Sequence, residues 1–163
     1  ERSPRRRPRL PAAAAATAAE PPRGRLCFTA TGLELGRHDR RFLEGRLGAK
    51  VADEWSAEVT HLVADTFRRT TKLMCAVCAG AKIVTPAFVA ACRAAGRLVD
   101  EAPFVLQDEV CEAAFAKKHG LEVFSLRESL ARRREDGPLL RGVVVYCAPS
   151  VAGRQDLQGI VEA

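Results

Sequence analysis

Between residues 25 and 108 short β-prone apolar runs alternate with amphipathic helical stretches, and that order leaves few folds open. Leu26-Cys27-Phe28-Thr29-Ala30 reads as a short buried strand, ended by Thr31-Gly32. Phe42, Leu43 and Leu47 fall at helical spacing within Leu35–Leu47, with Arg37, Arg40, Arg41, Glu44 and Arg46 on the opposite side and Gly48 as a stop. Lys50-Val51-Ala52 is a second strand, followed by a polar loop, Asp53 to Glu58, around Trp55. Thr60-His61-Leu62-Val63-Ala64 is a third strand, Asp65 to Arg69 a loop, and a helix follows from Thr70 to about Gly80 on the stripe Leu73, Met74 and Val77. Lys82-Ile83-Val84 is a fourth strand. Thr85-Pro86 then opens a helix, a hydroxyl for the N-cap and a proline for the first helical position, which carries Phe88, Val89 and Cys92 to about Gly96.

The resulting order, β-α-β-β-α-β-α, predicts a small α/β domain with a four-stranded, mainly parallel sheet flanked by helices on both faces. Parallel neighbours need crossover connections, and the helices supply them.

Past Phe104-Val105-Leu106 the chain becomes helical and charged through about His119. Ser125-Leu126-Arg127-Glu128 has the spacing of a capping box, and Leu126 and Leu130 begin an apolar face on the helix it starts. Asp136-Gly137-Pro138 breaks that helix. Gly142-Val143-Val144-Val145-Tyr146-Cys147 is strongly β-prone, and a last helix is expected over Asp156 to Ala163. One strand and one helix cannot bury their own faces. The organisation read here is therefore a tail over 1–24, a first α/β repeat over 25–108, a helical linker over 109–138, and the opening of a second unit over 139–163 that is either cut short or docked on the first.

Charge and cysteines narrow the setting. Residues 1–24 hold six Arg against two Glu and so account for +4 of the net +6 of this 163-residue chain, leaving +2 for the rest. Their Arg-Pro clusters and Ala run lack the apolar variety to offset ordering entropy, so a disordered tail is expected. It reads first as a solvated linker; the alternatives are a nuclear-import or nucleic-acid patch, with weak DNA contact through its basic residues, and an Arg- and Ala-rich transit-like peptide. Of the six cysteines, Cys27, Cys75, Cys92 and Cys147 sit in apolar stretches, as buried free thiols do. Cys75-Ala-Val-Cys78 lies mid-helix without the second pair a zinc ribbon needs. Structural thiols in a reducing compartment follow, with no metal and no cofactor. No run approaches the roughly 18–20 apolar residues of a membrane-spanning helix, and no membrane partner is expected.

Thr60-His61-Leu62-Val63, then Arg69-Thr70-Thr71-Lys72-Leu73-Met74, then Ile83-Val84-Thr85-Pro86-Ala87-Phe88-Val89-Ala90-Ala91-Cys92 resemble the first repeat of a tandem BRCT pair. Phe124-Ser125-Leu126-Arg127-Glu128-Ser129-Leu130 is similar to the segment linking such repeats. Phe88 stands where the family usually has Trp, and Gly48-Ala49 where it has Gly-Gly. The resemblance covers residues 25–163, with the second repeat truncated, and its four motifs come in the right order.

What the resemblance implies is binding of phosphoserine or phosphothreonine in protein partners by the first repeat. The hydroxyl at the end of the first strand is matched by Thr29, and the amide beside it by Ala30; in the alternative register they are Thr31 and Gly32. Lys72, near the start of the second helix, matches the charged partner, and Arg69 matches a residue that contacts peptide main chain or a C-terminal carboxylate. A phosphate dianion gains from charge-assisted donors and from the positive end of a helix dipole. Taken singly, Thr29 reads as a locally bonded strand-end hydroxyl, Lys72 as a solvated helix lysine, and His61 as a satisfied structural histidine.

Catalysis has little footing. The sequence contains no P-loop, GxGxxG, GxSxG or HExxH, and Asp65, Asp100, Asp108 and Glu109 fall where capping explains them. The expectation is a non-catalytic, nuclear adaptor for phosphorylated Ser/Thr motifs in DNA-damage or chromatin-associated signalling. The alternative is a BRCT module for phosphate-independent protein association or DNA-end binding.

Overall fold

The computed structural model describes residues 25–138, 140 and 142–162; the basic tail lies outside the described residues. Four strands form one parallel sheet: β1 (Cys27–Thr31), β2 (Lys50–Val51), β3 (His61–Ala64) and β4 (Lys82–Val84), in the spatial order β2-β1-β3-β4. The crossovers are α1 (Arg37–Gly45) and α2 (Thr71–Ala79), and α3 (Pro86–Ala95) follows β4. Three further helices complete the described chain: α4 (Glu109–Lys118), α5 (Leu126–Asp136) and α6 (Arg154–Glu162). This is the α/β arrangement the alternating pattern predicts.

The period-two pleat sorts side chains to two cores. Phe28, Val63 and Val84 face α1 and α3 and pack with Leu43, Phe88, Val89 and Cys92. Leu62, Ala64 and Ile83 face the other way, against Leu73 and Ala76 of α2, Leu106, and Leu126 and Leu130 of α5. Each large side chain buried here contributes about 1.5–3 kcal/mol relative to exposure. The helices of residues 109–138 are thus part of this core: Phe115 and Phe124 pack on Phe67 with ring centroids 5.5 and 5.1 Å away.

Caps fix where the helices begin. Thr70 Oγ1 accepts from Leu73 N at 3.2 Å, Asp108 Oδ1 from Cys111 N at 3.1 Å, and Ser125 Oγ from Glu128 N at 3.3 Å. Thr85 has cap backbone geometry but its hydroxyl does not cap, because the Phe88 amide is already taken by Thr85's own carbonyl at 3.0 Å. His61 is buried, stacked on Phe28 with centroids 4.6 Å apart and parallel to Phe88 at 5.8 Å. All six cysteines are free thiols.

The strand expected over residues 142–147 does not form; residues 143–148 are irregular. A strand exists only by pairing, and the free edge of β4 is occupied by an antiparallel bridge from Val84 to Val105. The β-prone side chains consequently stand in solvent, Val144 at 97% and Tyr146 at 84% exposure. The last helix does form, two residues earlier than expected, and lies against α2.

Candidate functional site

Parallel strands that all run the same way bring their C-terminal ends to one edge of the sheet, where open α/β sheets bind ligands. At that edge a cleft of about 550 Å³ opens between the end of β1, the loop before β3, the first turn of α2 and α6. Ala30, Thr31 and Gly32 line it from β1, Glu54 and Trp55 from the loop, and Thr70, Thr71 and Lys72 from α2. Cys75 lies one turn further along α2, and Asp156 and Gly159 enter from α6.

Of the two threonines at the strand end, the pleat places both on the α2 face. Thr29 shares its register row with Leu62 and so with Ile83, inside the apolar core. It is 0% exposed and its Oγ1 has no hydrogen-bond partner among the described residues. Thr31, two residues on, reaches the cleft, where its hydroxyl meets that of Thr70 at 2.9 Å. Gly32 turns the chain with φ +77°, a left-handed conformation that glycine adopts without steric cost. A Cβ there would lie 3.2 Å from Asp65 Oδ1.

Lys72 is held at the cleft by backbone carbonyls. Its Nζ donates to Ala30 O at 3.5 Å and to Asp53 O, with Glu54 Oε2 3.9 Å away. Arg40 donates to the Asp53 carboxylate, which holds that carboxyl below the usual range and pins the loop against the sheet. The Glu54 side chain is 91% exposed, so water screens its hold on Lys72. The first turn of α2 contains no acidic residue, so the positive end of its dipole is uncompensated where the cleft lies. Hydroxyls, an ammonium and helix-terminal amides converge, which is the donor set a phosphate takes.

The structure therefore brings Thr31, Gly32 and Lys72 into one cleft together with the Ala30 backbone, and sends the Thr29 side chain into the core. Arg69 is exposed and lies outside the cleft lining. Thr70 was legible only as the start of a helix; its hydroxyl bond to Thr31 depends on tertiary packing. Asp156 and Gly159 carry no sequence signal for this site, because the α6–α2 contact that delivers them is long-range. Among the described residues no group of three His, Cys, Asp or Glu side chains is placed to hold a metal ion, and no helix is long and apolar enough to cross a membrane.

Comparison with known proteins agrees with this architecture. A family model described as the Regulator of Ty1 transposition protein 107 BRCT domain matches residues 9–106. The chain belongs to the BRCT family. PAX-interacting protein 1 of Bos taurus is 33% identical over 117 residues, which is 71% of this chain and 11% of that protein. Mediator of DNA damage checkpoint protein 1 of Homo sapiens is 35% identical over 121 residues, 74% of this chain and 5% of that protein. The chain thus spans a small part of the relatives it matches. The crystal structure of the Brc1 BRCT5-BRCT6 domains of S. pombe superposes with a TM-score of 0.61 at 27% identity, covering 85% of this chain and 62% of that one. This BRCT chain is accordingly homologous to proteins of the DNA damage response.

Proposed function

We propose that this BRCT chain is a non-catalytic adaptor that docks protein motifs phosphorylated on serine or threonine, in the nucleus and in DNA-damage or chromatin-associated signalling. The observation that carries the reading is the convergence of Thr31, Gly32, Thr71 and Lys72 on one cleft at the start of α2. In it the phosphate accepts from the Thr31 hydroxyl, the Gly32 amide and the Lys72 ammonium, and rests on the positive end of α2. Ala30 contributes its carbonyl to Lys72, and the Thr29 hydroxyl is buried away from the cleft. Of the two registers at the end of β1, Thr31-Gly32 is therefore the one assigned to the phosphate, and Thr29 is assigned to the core.

The same reading takes residues 139–163 as the opening of a second repeat. It is supported by the similarity of 85% of the chain to the Brc1 BRCT5-BRCT6 domains, which extends past the first repeat.

The test is a calorimetric titration of the 163-residue chain with a phosphoserine peptide and its unphosphorylated twin. Phosphate-dependent binding is expected, falling about tenfold or more in Lys72→Met, as the loss of one charge-assisted contact implies. Equal affinities for the twins would leave a phosphate-blind association module instead.

A further inference from the structure

The cleft is larger than a single phosphate group. At about 550 Å³ it has the volume of a small-molecule site, room for a phosphate and an adjoining side chain. Its charge is divided. Lys72 and the threonine hydroxyls belong to β1 and α2, the Glu54 carboxylate of the loop before β3 stands 3.9 Å from the ammonium, and the charge that α6 brings to the lining is a second carboxylate, Asp156. Between them lies Cys75, 1% exposed, whose thiol is pushed up by burial first, then by Cys78 and by Asp156. Asp156, in the first turn of α6, shares one lining with Lys72 in the first turn of α2. Beside it Gly159 has no side chain, and a methyl group there would stand 3.8 Å from Cys75 Sγ. At Gly159 the α6 backbone thus comes within van der Waals reach of α2, while Asp156 stands on the exposed side of the cleft.

A peptide whose phosphate sits at Lys72 and whose chain runs toward α6 meets that carboxylate. A cationic side chain gains there and an acidic side chain or a terminal carboxylate is repelled, both modestly because Asp156 is exposed to water. Arg69, the residue suited to a terminal carboxylate, faces solvent outside the cleft.

We propose that Asp156 is a specificity residue: it selects phosphorylated segments that carry a Lys or Arg side chain on the α6 side of the phosphoresidue, and it rejects segments that place a carboxylate there. This rests on the phosphate-binding role assigned above to Lys72 and Thr31. Selection of this kind works by repulsion of the wrong ligand as much as by attraction of the right one.

The experiment uses the 163-residue chain and fluorescence anisotropy with phosphoserine peptides of one parent sequence, in which each flanking position in turn is Ala, Lys or Glu. One flanking position is expected to favour Lys over Ala by about three- to fivefold, the scale of a partly screened ion pair, with Glu weaker than Ala. Asp156→Asn is expected to remove that difference, Asp156→Lys to reverse it in favour of Glu, and Asp156→Glu to keep it. All three variants should still prefer phosphorylated to unphosphorylated peptide. The proposal is overturned if no position favours Lys, or if the preference persists in Asp156→Asn. A chain that binds phosphorylated and unphosphorylated parents alike overturns the phosphate-binding role itself, an outcome distinct from loss of the flanking preference alone.

Discussion

Thr31 and Thr70 stand 39 positions apart in the chain, yet their hydroxyls meet at 2.9 Å where β1 ends and α2 begins. Thr70 also caps α2 through Leu73 N at 3.2 Å, so one side chain ties the helix start to the strand end. That coupling keeps the Thr31 hydroxyl and the Lys72 ammonium within one cleft before any ligand arrives. A donor set held in place loses less on binding than one that must be ordered.

The two threonines of β1 should behave in opposite ways. Thr29 buries a hydroxyl without a partner, so Thr29→Val, of the same shape, is expected to stabilise the fold by about 1 kcal/mol. It should leave phosphopeptide affinity within about twofold. Thr31→Val loses the bond to Thr70 and a phosphate donor, which is expected to cost about 1 kcal/mol of stability and about tenfold in affinity. Urea denaturation and calorimetry read the two effects separately. Loss of phosphopeptide binding in Thr29→Val would return the site to the other register.

Gly32 is the turn by which the chain leaves β1 at the cleft. At φ +77°, with Asp65 Oδ1 3.2 Å from where a Cβ would stand, Gly32→Ala meets both backbone strain and a close neighbour. A loss of about 1–2 kcal/mol in unfolding free energy is expected, with weakened phosphopeptide binding as the turn shifts. Wild-type stability and affinity together in Gly32→Ala would show that the turn does not set the amide's position.

Much of this fold is written locally. Lys82–Val84 forms the strand its composition predicts, and Ser125 caps α5 because a hydroxyl three residues before Glu128 is a local device. The β-prone run after Gly142 misleads for the complementary reason: propensity makes a segment willing to be a strand, but pairing partners come from elsewhere, and none lies beside it here. The choice between Thr29 and Thr31 was equally closed to sequence. Both are strand-end hydroxyls on the same face, and only the position of α2 decides that one stays buried in the row of Leu62 and Ile83 while the other reaches Thr70. Asp156 becomes visible only once α6 is seen against α2.

Stability should fall on mild acidification. Burial holds the His61 imidazole below its usual pKa, against the opposing pull of Glu101 at 3.4 Å, and Lys82 acts in the same direction as burial. The folded chain thus keeps His61 neutral where the unfolded chain has begun to protonate. Its contribution is complete above the unfolded value of about 6.5 and is lost as pH drops through that value toward the lower folded one. The urea midpoint is expected to fall between pH 7.5 and 5.5 in the wild type. In His61→Phe, which keeps the stack on Phe28 and Phe88 without a titrating ring, that component should vanish. An identical pH dependence in both proteins would assign the acid sensitivity to other groups.

The contact between α6 and α2 can be probed at Gly159, where the geometry separates two effects of size. A methyl group at this position would sit 3.8 Å from Cys75 Sγ, an ordinary van der Waals distance, and the backbone there is helical. Gly159→Ala should therefore stabilise the chain by about 0.5–1 kcal/mol through helix propensity and leave phosphopeptide affinity within about twofold. Gly159→Phe has no such room: its ring must enter the cleft or push α6 away from Cys75. Either way the α6 wall moves, and phosphopeptides longer than the phosphoresidue itself should lose about tenfold in affinity, the effect of a blocked or widened site. Thermal melts and anisotropy on the two variants report the outcomes independently. Destabilisation by the alanine, or wild-type peptide affinity with the phenylalanine, would show that α6 does not wall the cleft in solution.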